Sequence, residues 1–236
     1  MLPIGFLADM PIYRLINRYF HLSAKKPIFD NMISVITGDI INSRKQINSK
    51  KWLASLKRVL SVYGKSPKVW EIYRGDSFQV EIKNPEESFL AAVQIKAGIK
   101  SVKDLDVRMA IGVGKKTFNA SRITESNGEA FINSGEMFES IKKNKQTLAI
   151  KTPWSEIDKE LNLIISLASI TMDKWTPFSA ELVSKSLQFN TSSQKDLARI
   201  IKITQSSISE RQSRAYYREI MEAENFIHQK IKQKIS

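Results

Sequence analysis

MISVITGDII (32–41) reads as a buried strand: nearly all apolar, rich in β-branched residues and broken by Gly38-Asp39. Working outward, residues 49–63 place Trp52, Leu53, Leu56, Val59, Leu60 and Tyr63 at helical spacing, and Pro67 ends the segment. KVWEIYRGDSFQVEI (68–82) alternates around Gly75-Asp76 and predicts a hairpin. Its alternation puts Val69, Glu71 and Tyr73 on one face and Trp70 and Ile72 on the other. Asn84-Pro85-Glu86-Glu87 predicts a helix start with a cap, a first-position proline and first-turn acids, the helix running to about Lys100. DVRMAIGVG (106–114) is a second buried strand, 129–143 a helix and 146–152 a short strand. Strand, helix, hairpin, helix, strand, helix, strand predicts an α+β domain over residues 32–153, its sheet mixed or antiparallel.

From Trp154 onward the pattern is helical: 155–174, 178–188, with Pro177 in the first turn of the second, and a further helix pair. A boundary near residue 153 therefore separates the α+β domain from a helical domain, 154–236. Residues 1–31 form an N-terminal extension, partly apolar but carrying Asp9, Arg14 and Arg18, a poor signal peptide. It reads either as an amphipathic segment that packs on a partner or membrane, or as a loosely held terminus.

The 236 residues carry 37 Lys and Arg against 24 Asp and Glu, a net charge of +13, with no Cys and two His. Disulfides, thiolate metal sites and a Cys nucleophile are excluded, and His21 and His228 are too few for a His-rich zinc site. The charge divides into +2 over 1–31, +8 over 32–150, −1 over 151–190 and +4 over 191–236, so two basic modules flank a near-neutral segment. An anionic partner is expected: nucleic acid, nucleotide or acidic lipid. No stretch reaches the length of a membrane span, and a cytoplasmic location with no membrane partner is expected.

Asp39 falls in or at the end of an apolar strand and Asp76 at a hairpin tip. A carboxylate there is costly unless paired or metal-bound. Two carboxylates on neighbouring strand ends suit Mg²⁺ or Mn²⁺ with a nucleotide's phosphates completing the shell. Arg44, Arg74 and Lys115 are the candidate phosphate contacts, Arg44 foremost; Lys45 and Lys116 lie in similar loops. Gly-Asp is equally ordinary turn chemistry, and loop cations are ordinarily solvated. GVGKK (112–116) has a phosphate loop's composition without its Walker spacing.

Asp39, the Asp76 hairpin and RMAIGVG (108–114) resemble the palm-type core of class III nucleotide cyclases. That resemblance implies a ferredoxin-like, cyclase-like palm in which the two aspartates hold the metals. The family's downstream Asn and Arg, which stabilise its transition state, align with Ile132 and Glu136 in GEAFINSGEMF (128–138), which argues against cyclisation; Asn133 is one residue away. The chain from Met32 onward also resembles the SatD family of bacterial proteins. That likeness rests on VITGDIINSR (35–44), RGDSFQVE (74–81), RMAIGVG, NGEAFINSGE (127–136) and the helix pair described next. It implies a cyclase-like domain joined to a DNA-binding helix pair.

SQKDLARIIKITQSSISERQSRAYYREI (193–220) reads as helix, three-residue turn, helix, a helix-turn-helix over 194–217. Leu197, Ala198, Ile201, Ile203 and Ile208 are its apolar contacts, and Thr204 caps the second helix. Lys202 stands where Gly is usual and requires a left-handed backbone, costing about 1–2 kcal/mol. Arg211 stands where an apolar residue often packs. Gln205, Ser206, Ser207, Ser209 and Arg214 fall near the exposed face, where they suit bases and phosphates, and Arg211 and Arg218 add phosphate contacts. The bland alternative is a helical hairpin with a solvated charged face. Ile220, Ile227 and Ile231 form a stripe that suits either a homodimer or the helix at 155–174.

The leading expectation is a DNA-binding, transcription-regulatory protein whose cyclase-like domain binds nucleotide or metal without catalysis. The competing one is a Mg²⁺- or Mn²⁺-dependent nucleotide cyclase or nucleotidyltransferase acting on a nucleoside triphosphate. A third has nucleotide binding alter the affinity for duplex DNA.

Overall fold

The computed structural model describes residues 31–45, 49–189 and 193–236. Apart from Asn31, the expected N-terminal extension, with His21, lies outside the described residues.

The strands are β1 (Met32–Ile41), β2 (Trp70–Tyr73), β3 (Ser77–Ile82), β4 (Asp106–Phe118), β5 (Asn127–Gly128) and β6 (Leu148–Lys151). The helices are α1 (Ser49–Leu60), α2 (Ser88–Lys100), α3 (Glu129–Lys143), α4 (Ser155–Met172), α5 (Pro177–Phe189), α6 (Gln194–Ile201), α7 (Gln205–Arg214) and α8 (Tyr217–Ile235). The protein is α+β, as expected. The sheet runs β2-β3-β1-β4, antiparallel throughout, with β5 on the far end of β4 and β6 parallel to β4.

Alternation in β1 assigns the two faces. Ile36 and Ile40 join the main core with Met109 and Ile111 of β4, Phe78 and Val80 of β3, and α1 and α2. Ile33 and Val35 point the other way, towards Ala130 and Phe131 of α3. The hairpin follows its expected alternation at Trp70 and Ile72, which join the main core. Arg74 and Gly75 make its turn at φ 52° and 89°.

Gly112 and Gly114 are where α3 approaches β4. A Cβ at Gly112 would stand 2.2 Å from the Ala130 carbonyl oxygen and 2.2 Å from the Ser134 amide. One at Gly114 would stand 2.7 Å from the Ala130 amide. The two glycines of GVGKK thus serve helix–strand packing, in keeping with their lack of Walker spacing.

The expected cap at Asn84 is also corrected. Pro85–Glu87 forms a 3₁₀ turn before α2, and the Asn84 side chain makes no capping bond. It instead hydrogen-bonds the Glu87 carboxyl. Burial pushes Glu87 up to about 7, with Glu86 and Glu224 adding repulsion.

Helix α2 is covered nearly all round, eleven of its thirteen residues being buried. Two of those are lysines. Lys96, fully enclosed, contacts Asp106 at 2.9 Å and Asp173 at 2.7 Å. Lys100 contacts the other Asp106 oxygen at 3.0 Å and donates to the Asp173 carbonyl at 2.9 Å. This knot joins α2, the start of β4 and the C-terminal end of α4.

The main core continues through Ile157, Leu161 and Ile165 of α4 to Ile220, Ile227 and Ile231 of α8. Lys230–Glu160 at 3.1 Å and Lys234–Glu156 at 2.6 Å fasten α8 to α4. The isoleucine stripe of α8 therefore packs inside its own chain, which removes it as a dimer seam. Leu182, Leu197, Ala198 and Ile208 form a separate small core among α5, α6 and α7.

Two outcomes follow for stability. Lys96→Met leaves Asp106 and Asp173 underpaired and should cost about 3–5 kcal/mol, read as a lower urea midpoint; an unchanged midpoint contradicts the role of the knot. Glu87 is raised above its ordinary 4.5, so its contribution to stability is full below pH 4.5 and is lost as pH rises through about 7. Glu87→Gln should flatten that decline and stabilise the protein at pH 8, on the order of 1 kcal/mol after discounting for partial exposure. Thermal unfolding at pH 5 and pH 8 reads the difference.

Candidate functional site

Asp39 sits near the carboxyl end of β1, opposite Ser77 of β3 and Arg108 of β4. Its odd position puts the carboxylate on the face that carries α3. Asp76 lies at the end of the hairpin turn, where its carbonyl accepts the Ile40 amide at 3.1 Å. The fold thus brings the two aspartates to one end of the sheet, as the sequence suggested.

The hydroxyl of Ser43, just beyond β1, donates to Asp76 Oδ2 at 2.6 Å. Arg108 Nε stands 4.0 Å from Asp39 Oδ1. That oxygen is buried and has no hydrogen-bond partner among the described residues. Burial raises the Asp39 pKa; Arg108 and Lys142 oppose the rise, and Asp76 adds to it. Tyr73 is also raised by burial, with Arg74 opposing and Asp39 adding. An under-partnered carboxylate beside a second one is a group held at a cost, the pattern that functional sites share with structural ion clusters. Among the described residues no group of three or more His, Cys, Asp or Glu gathers in metal-binding range. A cation here would rest on two carboxylates, the Ser43 oxygen and ligand or solvent oxygens.

Arg44 is exposed in the 3₁₀ turn that carries Ser43, and Arg74 is exposed in the hairpin turn two residues before Asp76. Both cations flank the aspartates along the chain. Lys115 does not. It pairs with Met32 while Asp39 pairs with Arg108. Seven strand residues separate the two positions, roughly 23 Å. Lys116 holds Glu81 at 2.6 Å. The expectation that Lys115 serves the aspartate end is therefore corrected.

The α3 positions also resolve. Ile132 is exposed, and Glu136 pairs with Lys151. The Asn133 amide is buried and donates to the Val113 carbonyl at 2.8 Å, so it holds α3 to β4 and does not replace the missing polar group.

At the other end of the chain, α6 and α7 are joined by Lys202, Ile203 and Thr204. Lys202 takes the left-handed backbone expected of it, φ 58° and ψ 45°, and its amide caps onto the Ala198 carbonyl. The Thr204 hydroxyl accepts the Ser207 amide at 3.2 Å. Ile208 is fully buried, while Gln205, Ser206 and Ser209 on the same helix are exposed and Ser207 is half-buried.

The arginines divide. Arg211 is half-buried and lies over the Phe178 ring of α5 at 5.2 Å, so it packs where an apolar residue was expected. Arg214 is exposed and pairs with Glu210 at 2.6 Å. Arg218 is exposed and pairs with Glu219 at 3.2 Å and Glu222 at 3.6 Å. Such surface pairs are worth little and leave the guanidinium available to a stronger anion. The indole of Trp175 donates to the Ala215 carbonyl at 2.9 Å, fixing the end of α7 against the start of α5. Sequence reading missed this bond, the Arg211–Phe178 stack and the Ser43–Asp76 bond, because each joins segments distant in the chain.

Among the described residues no helix is long and apolar enough to cross a membrane. No curated protein and no solved structure matches the chain. The sequence model of the SatD family matches residues 32–227, well over half of the 236 residues, and the chain belongs to the SatD family.

Proposed function

We propose that the protein binds duplex DNA through the α6–α7 pair, used as a helix-turn-helix with α7 in the major groove, and acts in the cytoplasm as a transcription regulator. One observation carries this reading: α7 buries Ile208 in a small core with Leu182, Leu197 and Ala198 while its N-terminal half shows solvent the polar set Gln205, Ser206 and Ser209. Gln205, Ser206 and Ser209 are poor core material and suit a groove-facing surface, while Ile208 anchors the helix from behind. Between Ser193 and Arg218 six basic residues meet two acidic ones, a favourable balance for phosphate. Gln205 suits adenine, and Arg214 and Arg218 suit phosphates or guanine. Arg211, stacked on Phe178, positions α7.

Binding to duplex DNA measured across salt tests this. Arg214→Glu with Arg218→Glu should weaken binding by about tenfold or more and flatten the salt slope by about one for each phosphate that is no longer neutralised. Glu210→Gln should tighten it by freeing Arg214. Wild-type affinity in all of these would overturn the reading.

A second reading attaches to the other end of the sheet. The strand order β2-β3-β1-β4, with helices after β1 and β3, is the split β-α-β order of ferredoxin-like palms. It favours a cyclase-like palm in which Asp39 and Asp76 take Mg²⁺ or Mn²⁺ with a nucleotide, and Arg44 and Arg74 meet its phosphates. The under-partnered Asp39 oxygen specifically favours it. Ile132 and Glu136 make it a binding rather than a cyclising site. Because its pKa is raised, ionised Asp39 costs stability as pH rises above its ordinary 3.8. Asp39→Asn should therefore raise the Tm at neutral pH but not below pH 3.8. Mn²⁺ with a nucleoside triphosphate should raise the wild-type Tm and leave that of Asp39→Asn unmoved. An equal metal response in both proteins would exclude Asp39 as a ligand.

A further inference from the structure

Helix α4 has two apolar faces. Ile157, Leu161, Ile165 and Met172 face inward and are buried in the main core. Leu163, Leu167 and Ile170 face outward and remain 62%, 58% and 55% exposed. Three large aliphatic side chains on one face of one helix, unlike scattered exposed residues, form a contiguous patch. Their spacing is that of a helical seam. Leu163 and Ile170 are seven apart with Leu167 between them, steps of four and three, and Glu160 lies seven before Leu167; Lys174 stands in the turn two residues past the end of α4.

We propose that this outer face of α4 pairs with the same face of a second copy, antiparallel, about a two-fold axis near Leu167. Charge selects both the occupant and the direction. A parallel pair would set Glu160 against the second copy's Glu160 and Lys174 against its Lys174. The antiparallel pair sets Glu160 of each copy against Lys174 of the other, at both ends of the seam, and opposes the helix dipoles. Glu160 also contacts Lys230 of its own chain at 3.1 Å but keeps 44% of its side-chain surface exposed, leaving oxygen for a second cation. Ser166, exposed between Leu163 and Leu167, lets the two backbones approach. The 18 residues of α4 span about 27 Å, a short seam. A seam this short fits a weak dimer that forms and dissociates with concentration. The pairing does not rest on the DNA reading and is measured without DNA.

Sedimentation equilibrium of the full chain across the micromolar range should show a mass rising from 26.9 kDa towards twice that value. Leu163→Lys with Ile170→Lys should hold the mass at one chain, with an unchanged circular dichroism spectrum because both sites are exposed. The chain has no cysteine, so oxidative linking reports introduced thiols alone. Leu167→Cys should link to itself, and Glu160→Cys should link to Lys174→Cys in a mixture but not to itself. A monomer at every concentration overturns the proposal, as it would if residues 1–30 cover the face. So does a dimer that survives the double lysine variant, or efficient self-linking of Glu160→Cys.

Discussion

The enclosed ammonium of Lys96 is the constraint on which the arrangement depends. A buried charge is tolerated when its partners are well placed, and losing one partner costs more than the pair contributes. Asp106 at the start of β4 and Asp173 at the end of α4 are those partners, with Thr147 also donating to Asp173 at 2.8 Å. The knot thereby fixes where α4 stops relative to the sheet. Two residues later Trp175 reaches the Ala215 carbonyl at the end of α7, and Pro177 starts α5. The surface that α7 presents is therefore oriented by contacts that begin inside the α+β layer.

The two ends of the molecule are built on opposite physical terms. At the aspartate end, Asp39 is held ionisable at a cost, with a raised pKa and an oxygen lacking a hydrogen bond. Such a cost is retained where a site needs it or where a ligand offsets it. At the α7 end the two arginines proposed to meet phosphate already have partners. Thr204 is engaged as a cap, Ile208 is buried, and Arg214 and Arg218 rest on neighbouring carboxylates that an anion can displace. On the proposed reading, one end takes a small ligand in a fixed place and the other a large polyanion by exchange of surface partners.

Much of the fold was legible because it follows local period. The strands at 32–41 and 77–82, the helices at 88–100 and 129–143, and the left-handed Lys202 could each be read from nearest neighbours. What was not legible depends on distant partners. The burial of Lys96 and Lys100 carries no local signal, because lysine is rarely buried unless paired and the pairing here comes from Asp106 and Asp173. The packing role of Gly112 and Gly114 depends on α3, which the sequence places only as a separate helix. Lys115 was misplaced because β4 runs antiparallel to β1, so its carboxyl end, where Lys115 pairs with Met32, lies opposite the end that carries Asp39. The outward exposure of Leu163, Leu167 and Ile170 among the described residues could not be read from a helix that is apolar on both faces. The Asp39–Asp76 pairing was legible because hairpin and first strand share one sheet end; the Ser43 and Arg108 contacts that complete it were not.

Hydrogen–deuterium exchange of the full chain with and without a short duplex DNA tests the central claim most directly. Exchange should slow in residues 193–218, centred on the first turn of α7, with the amides around Asp39 and Asp76 unchanged. Protection confined to the β1 and hairpin end, or none at α7 under conditions where the duplex is bound, would contradict it.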